Sequence, residues 1–286
     1  GFGLGSFKFI NYSYSDPPTA FLLAGGEGPE PTKEEMDKRN DEIGIGLGNM
    51  AACFKLEYGS ALLNASQRAS LMGFCDAYAV AQSESTSSPP SKDTKFVFKR
   101  DGSGFEMLDE LIGTPGAAES LAKLHPHPNG SKIVIRHTTG PLNGCIAFHV
   151  DGCSTSSTIQ LTLNSDTEYE GGRLVFYSPD IGMTIPKRPA GTITIHNKRQ
   201  MHGVTRLVQG ARYSLFVVDA ANGLTSNISK SSKAGSGAKA SASDSEESVV
   251  EVQRELFDAV LKAQEAQKTL EKARAELRGL KRPRPK

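Results

Sequence analysis

Three short apolar runs between residues 145 and 218 carry polar residues that do not belong inside a buried strand, and their positions constrain the fold more than anything else in the chain. Cys145-Ile-Ala-Phe-His-Val-Asp151 ends on His149 and Asp151. Met201-His202-Gly203-Val204 follows about fifty residues later, and Ala211-Arg-Tyr-Ser-Leu-Phe-Val-Val218 begins with Arg212 and Ser214. In a strand, residues i and i+2 face the same side, so His149 and Asp151 can reach one point together. His-x-Asp followed by a distant His is the spacing of a two-histidine, one-carboxylate facial set, which holds ferrous iron on one face and leaves positions open. That spacing predicts oxygen chemistry.

An arginine beside such a site has a use. Its planar guanidinium grips a carboxylate bidentately, and a serine hydroxyl adds one more hydrogen bond. Leu215 to Val218 are continuously apolar, so this strand reads as buried on both faces, where an unpaired Arg212 would be costly and a dicarboxylic co-substrate would supply its partner. Taken alone, His149 and Asp151 fit an ordinary strand with two polar residues on its solvent face; His202 and Arg212 at these offsets favour the metal. His196, ending the alternating run Gly191-Thr-Ile-Thr-Ile-His196, competes for the distal ligand position. His202 is preferred because it precedes Gly203-Val204 and stands ten residues before Arg212, which leaves His196 as a strand-end surface histidine. His125 and His127, in His-Pro-His-Pro, read as loop residues. Gly171-Gly172 reads as a turn before the strand Arg173 to Tyr177 rather than as a phosphate loop.

These residues, together with Phe148-His-Val-Asp-Gly152, Leu163-Asn164, Tyr169-Glu-Gly-Gly-Arg-Leu-Val-Phe176, Pro189-Ala-Gly-Thr-Ile-Thr-Ile195 and Gly210-Ala-Arg-Tyr-Ser-Leu215, resemble the iron and 2-oxoglutarate-dependent dioxygenase domain of the prolyl 4-hydroxylase type. The resemblance covers residues 130–220. It implies a mainly β fold with flanking helices around a double-stranded β-helix, or jelly roll. It implies iron ligands His149, Asp151 and His202, and a 2-oxoglutarate clamp at Arg212 with Ser214 and Thr162 nearby. Fe(II), 2-oxoglutarate and O2 are the implied cofactor and co-substrates, with ascorbate as an accessory reductant; succinate and carbon dioxide leave as a C–H bond is hydroxylated. The implied substrate is a protein or peptide, peptidyl proline included, with a small molecule as the rival and a non-catalytic jelly-roll scaffold as the reading from another class. One departure is Arg136-His137-Thr-Thr-Gly140, with His137 where the family often carries tyrosine beside the co-substrate or peptide. Thr162 is likewise small where peptide hydroxylases carry an aromatic residue.

Composition shifts divide the 286 residues. Residues 1–48, rich in Gly, Pro and charge, are expected as a flexible lead-in whose polar run Lys33 to Glu42 has no apolar face. The dioxygenase domain is expected over 49–225. Within it a helix from Asn64 to Gln82, capped by Asn64 or Ser66, would pack on the jelly roll; a loop is expected from Ser83 to Lys92, a strand over Lys95 to Phe98 and a helix from Gly104 to Ile112. A Ser/Ala/Gly/Lys-rich linker, 226–248, is expected to be disordered, with an acidic-context phosphorylation motif at Ser243. From Val249 to Leu280, apolar residues recur at alternating spacings of three and four, a heptad pattern with an Ala-rich seam. Its 32 residues would span ~48 Å as a helix, either self-associating, paired with a partner helix, or solvated alone. The end, 281–286, is a basic tail of the kind read by nuclear import.

The net charge of +1 argues against general nucleic-acid affinity. No apolar run approaches the ~20 residues needed to cross a bilayer. Four cysteines without a C-x-x-C pair give no disulfide framework, which points to a reducing, intracellular compartment, cytoplasmic or nuclear. Because the chain starts at Gly1 without an initiator Met, a longer parent protein is expected.

Overall fold

The computed structural model describes residues 16–43, 54–57, 62–86, 91–100, 102–152 and 155–220, with Lys262, Thr269 and Ala273 as isolated helical positions. The chain divides into two compact units, Gly1–Ala69 with Ser91–Ile228, and Ser70–Pro90 with Ser229–Lys286. The expected linker, the heptad helix apart from those three positions, the basic tail, Ser243, Cys53 and Cys153 lie outside the described residues.

The strands are β1 (Phe54–Glu57), β2 (Asp93–Phe98), β3 (Ser131–Thr139), β4 (Ile146–His149), β5 (Ser157–Thr162), β6 (Glu170–Gly171), β7 (Leu174–Ser178), β8 (Gly182–Thr184), β9 (Ile193–Asn197), β10 (Met201–Val204), β11 (Leu207–Gln209) and β12 (Ala211–Asp219). The helices are α1 (Pro17–Leu23), α2 (Lys33–Ile43), α3 (Ala65–Thr86), α4 (Gly104–Ile112) and α5 (Ala117–Ala122). At the start of α3, Asn64 Oδ1 accepts from Gln67 N at 3.0 Å while Gln67 Oε1 accepts from Asn64 N at 2.8 Å, a reciprocal cap on the residue expected to provide it. Among the described residues no helix is long and apolar enough to cross a membrane.

One antiparallel sheet runs β1-β9-β5-β12-β3-β2 and a second runs β4-β10-β7-β8. Followed along the chain, β3 lies in the larger sheet, β4 in the smaller, β5 in the larger, β7 and β8 in the smaller, β9 in the larger, β10 in the smaller and β12 in the larger. Eight antiparallel strands wound between two sheets in this way form a jelly roll. The sheets meet through Phe54 and Phe176, whose rings stack 4.2 Å apart.

The larger sheet is patterned in an informative way. Ile133, Ile135, Ile159, Leu161, Leu215 and Val217 are buried on one face, where α5 packs on β3 and α4 on β2. The alternate positions of β5, β9 and β12 are Thr158, Gln160, Thr162, Thr194, His196, Arg212 and Ser214, equally buried but polar, joined along β12 by half-buried Phe216 and Val218. Period-two alternation thus separates an apolar outer face from a polar inner one.

The smaller sheet needs a cover too, and α1 and α2 provide it. Phe21, Leu22 and Met36 form one buried cluster with Phe148, Val175, Tyr177 and Met201. Residues 16–43 are therefore a docked part of the fold and not the flexible lead-in expected for residues 1–48. The polar sequence of α2 hides this because its docking uses two apolar residues seven positions apart, Met36 and half-buried Ile43, together with polar ties, which is too sparse to read as an apolar stripe. Arg39, buried, pairs with Asp16, which also caps α1 through Thr19, and Tyr177 donates to Asp37 at 3.1 Å.

Two local features aim the site. Between His149 and Ile146 of β4 the chain has one more residue than between their partners His202 and Val204 on β10, a β-bulge. The extra residue lets Phe148 face the α1–α2 cluster while Ile146 still packs with the inner cluster of Leu174, Phe176 and Val204. Gly203, next to His202, lies where α1 and β4 press on β10: a Cβ there would stand 3.0 Å from both the Ile146 carbonyl oxygen and Leu22 Cδ1. Gly171, at φ 70°, lies in the short strand β6 and not in the turn expected of it: it pairs with Leu207 of β11, and a Cβ would meet the Arg206 carbonyl oxygen at 2.0 Å.

Leu22 is fully buried, so Leu22→Ala is expected to lower the unfolding free energy by about 2–5 kcal/mol. Urea denaturation measures it; a loss under about 0.5 kcal/mol, as at a surface position, would show that α1 is not part of the folded unit.

Candidate metal centre and anion pocket

His149 closes β4, Asp151 follows it by two residues, and His202 sits on β10 directly opposite His149 in the ladder. The three offer one ligand atom each, all within 4.8 Å of one another. His149 Nε2 lies 3.7 Å and His202 Nε2 3.8 Å from the same carboxylate oxygen, Asp151 Oδ1. On the far side of each ring, Nδ1 meets a backbone carbonyl at 2.9 Å, Ala147 O for His149 and Gln200 O for His202. A carbonyl only accepts, so each Nδ1 carries the hydrogen and each Nε2 presents a bare lone pair toward the carboxylate. Two imidazole lone pairs and one carboxylate oxygen fit a divalent first-row ion.

The charge state suits the same purpose. Burial, followed by the neighbouring rings of His149 and His196, pushes His202 down to about 3, so it is neutral at ordinary pH. Burial pushes the Asp151 carboxyl up, but hydrogen bonding from His196, attraction to His202 and the Thr158 hydroxyl outweigh it and hold the group well below the usual carboxylate range. Thr158 Oγ1 donates to Asp151 Oδ2 at 2.5 Å, and His196 Nε2 reaches the same oxygen at 3.1 Å.

His196 corrects the expectation drawn from sequence. It is buried, not a surface histidine, and its ring centroid stands 4.4 Å from that of His202. It was placed at the surface because it ends a strand; β9 pairs with both β5 and β1, which carries its side chain inside. Thr158 was missed altogether. Its signal was available in Thr158-x-Gln160-x-Thr162, a polar residue at every second position of a strand buried throughout.

A cavity of about 360 Å³ is lined by all three candidate ligands with Gln160, His196 and Arg212. Two arginines line it, and they differ. Arg136 is held bidentately by Asp93, at 2.6 and 2.7 Å. Arg212 is buried, has no ion pair among the described residues, and its Nε has no partner. Burial pushes the Arg212 guanidinium down, partly offset by the hydrogen-bonded Tyr169. Arg188, which sequence reasoning did not find, is fully buried with Nε and Nη2 unpartnered, and burial and then the charge of Arg212 push it down to about 9. Nothing in the loop Lys187-Arg188-Pro189 announces this, because no strand or helix period runs through it.

Ser214 shares the inner face of β12 with Arg212. Its oxygen accepts from Gln160 Nε2 at 3.1 Å, which leaves its own proton to donate. Thr162 is different: its hydroxyl donates to Pro189 O at 2.9 Å and accepts from Thr192 N at 3.1 Å, so it anchors the loop before β9 and has no proton left for a co-substrate. His137 lies on the opposite face of β3 from cavity-lining Arg136, stacked on Tyr213 at 4.6 Å, and so does not line the cavity.

No protein-family model matches the chain, and no curated protein matches it. Solved structures do. A prolyl hydroxylase of Trichoplax adhaerens, in complex with a hypoxia-inducible factor peptide fragment, is 14% identical over 67% of this chain and 94% of that one, at a TM-score of 0.41. An oxidoreductase of the 2OG-Fe(II) oxygenase family from Burkholderia pseudomallei is 13% identical over 68% and 92%, at 0.40. A rice dioxygenase for auxin oxidation is 13% identical over 68% and 80%, at 0.41.

Stability of the metal-free protein should fall as pH drops below 6.5, the ordinary histidine value. The unfolded chain takes up a proton at His202 that the folded chain refuses until about pH 3, so the unfolded state binds more protons throughout that window. Urea midpoints measured at intervals from pH 7 to 4 are expected to decline less steeply in His202→Gln; identical slopes would refute the assignment.

Proposed function

We propose that this chain is an Fe(II)- and 2-oxoglutarate-dependent dioxygenase that hydroxylates a C–H bond and releases succinate and carbon dioxide. The observation that carries this reading is the convergence of two Nε2 lone pairs and one carboxylate oxygen in a cavity whose wall holds a buried arginine with no ion pair among the described residues. His149, Asp151 and His202 would hold the iron. When bound, iron supplies the activation of dioxygen that couples oxidation of 2-oxoglutarate to substrate hydroxylation, with ascorbate restoring the ferrous state.

The chain's own residues do the rest. Arg212 grips the distal carboxylate of 2-oxoglutarate and Ser214 donates its hydroxyl proton to it, held in place by Gln160. Ile146, Leu174 and Val204, on the cavity wall, keep water from the reacting centre. A protein or peptide side chain, peptidyl proline included, is the favoured substrate, because a cavity of about 360 Å³ is at the small end for a ligand pocket and the co-substrate must share it. The heptad pattern over 249–280 supports self-association or a partner helix as a separate property, which cross-linking that yields only monomer would remove.

Anaerobic addition of ferrous iron and 2-oxoglutarate is expected to raise a visible metal-to-ligand charge-transfer band in wild type, weakened in His202→Ala and Arg212→Ala. A chain ending at residue 225 should keep the band. A folded, iron-loaded wild type without it would reject the dioxygenase and favour the scaffold. With the band present, hydroxylation of small molecules alone would overturn the peptide assignment.

A further inference from the structure

We propose that His196 is a positioning residue that, with Thr158, fixes Asp151 as a one-oxygen metal ligand. The inference rests on the metal centre proposed above and concerns how that centre is shaped.

The two oxygens of Asp151 face different surroundings. Oδ1 faces the lone pairs of His149 and His202, at 3.7 and 3.8 Å. Oδ2 is taken up on the opposite side by Thr158 Oγ1, at 2.5 Å, and His196 Nε2, at 3.1 Å. A carboxylate only accepts, so His196 Nε2 carries the hydrogen and donates it. In the neutral ring the lone pair is then on Nδ1, which is buried and has no partner among the described residues. Among the described residues the one side-chain hydrogen bond of His196 therefore goes to Asp151. A phenylalanine would fill the same space beside Phe176, 5.5 Å away, without burying an unpaired nitrogen. Its N–H toward Oδ2 is the one thing the imidazole adds.

His196 is also set apart from the ligands themselves. The ligand atoms lying within 4.8 Å of one another are those of His149, Asp151 and His202, and His196 is not among them. With Oδ2 occupied by two donors, the carboxylate cannot swing both oxygens onto one ion. That preserves an open position which a bidentate carboxylate would fill, and a centre that must take up both co-substrate and dioxygen needs its open positions.

The test uses metal uptake by the intact chain, with no turnover. Mn(II) is titrated calorimetrically into metal-free wild type, His196→Phe, His196→Gln and Thr158→Val, and the Co(II) visible spectrum is recorded for each. His196→Phe and Thr158→Val are expected to bind Mn(II) roughly 10- to 100-fold more weakly. His196→Gln, which keeps an N–H within reach of Oδ2, should recover most of the affinity and the wild-type Co(II) spectrum, whereas His196→Phe should shift that spectrum as Oδ2 enters the coordination sphere. Metal-free melting curves check folding, and Thr158→Val decides the matter if His196→Phe does not fold. Wild-type affinity and spectrum in both Phe and Val variants would overturn the inference and leave the metal centre standing. Equal damage in His196→Gln and His196→Phe would overturn it by making His196 a ligand. A wild type that takes up neither ion would remove the metal centre itself, and the inference with it.

Discussion

A buried carboxylate governs the interior of this jelly roll. Desolvation disfavours the charge on Asp151, and by itself would make the group a neutral acid of little use to a cation. What reverses the sign is a set of partners drawn from both sheets: His196 from β9, His202 from β10 and Thr158 from β5. Each strand must therefore hold its register, because a slip of one residue would turn its inner polar side chain outward. The bulge in β4 and the pressed contact at Gly203 are local consequences of placing two histidines against one oxygen.

The same demand explains why both sheets are apolar on the outside. A jelly roll that reserves its interior for polar chemistry has less apolar area to bury between its sheets, so stabilising burial moves to the outer faces. There α4 and α5 accompany the larger sheet, and α1 and α2 cover the smaller. The helices are thus as necessary to the centre as the strands. Phe148 and Met201, packed beneath α1 and α2, are the immediate neighbours of His149 and His202 in the chain.

How much of this was legible in sequence follows from which interactions leave a period. The triad and the Arg212–Ser214 pair were legible because strand alternation fixes the face of a residue, and β4, β10 and β12, which carry or adjoin them, read as short apolar or alternating runs. The α1–α2 cover was not, since α2 docks through Met36 and Ile43, seven residues apart, and through polar ties from Asp37 and Arg39, too sparse a set to leave a stripe. His196 was misplaced because the sequence shows a strand ending there but not that β1 and β5 flank it. Thr162 had the right face and the wrong task, because its hydroxyl is committed to the loop carbonyl of Pro189, a partner twenty-seven residues away that no spacing rule identifies.

Arg188 and Arg212 present the complementary problem to Asp151. Two guanidinium groups are buried close enough for the charge of one to lower the other, and three of their nitrogens have no hydrogen-bond partner among the described residues. Tyr169 hydrogen-bonds to Arg212, and Asp166 lies near Arg188 while also pairing with Arg173 at 2.8 Å. Buried cations held this way carry an energetic penalty that an incoming anion removes. At one end of the cavity the protein supplies the carboxylate of Asp151, which a cation would complete; at the other Arg212 supplies a cation, with Arg188 buried behind it outside the cavity lining, and a carboxylate would complete it. A dicarboxylate that places one end at the metal and the other at Arg212 would satisfy both ends with one molecule, which is the physical ground for proposing 2-oxoglutarate and not a monoacid.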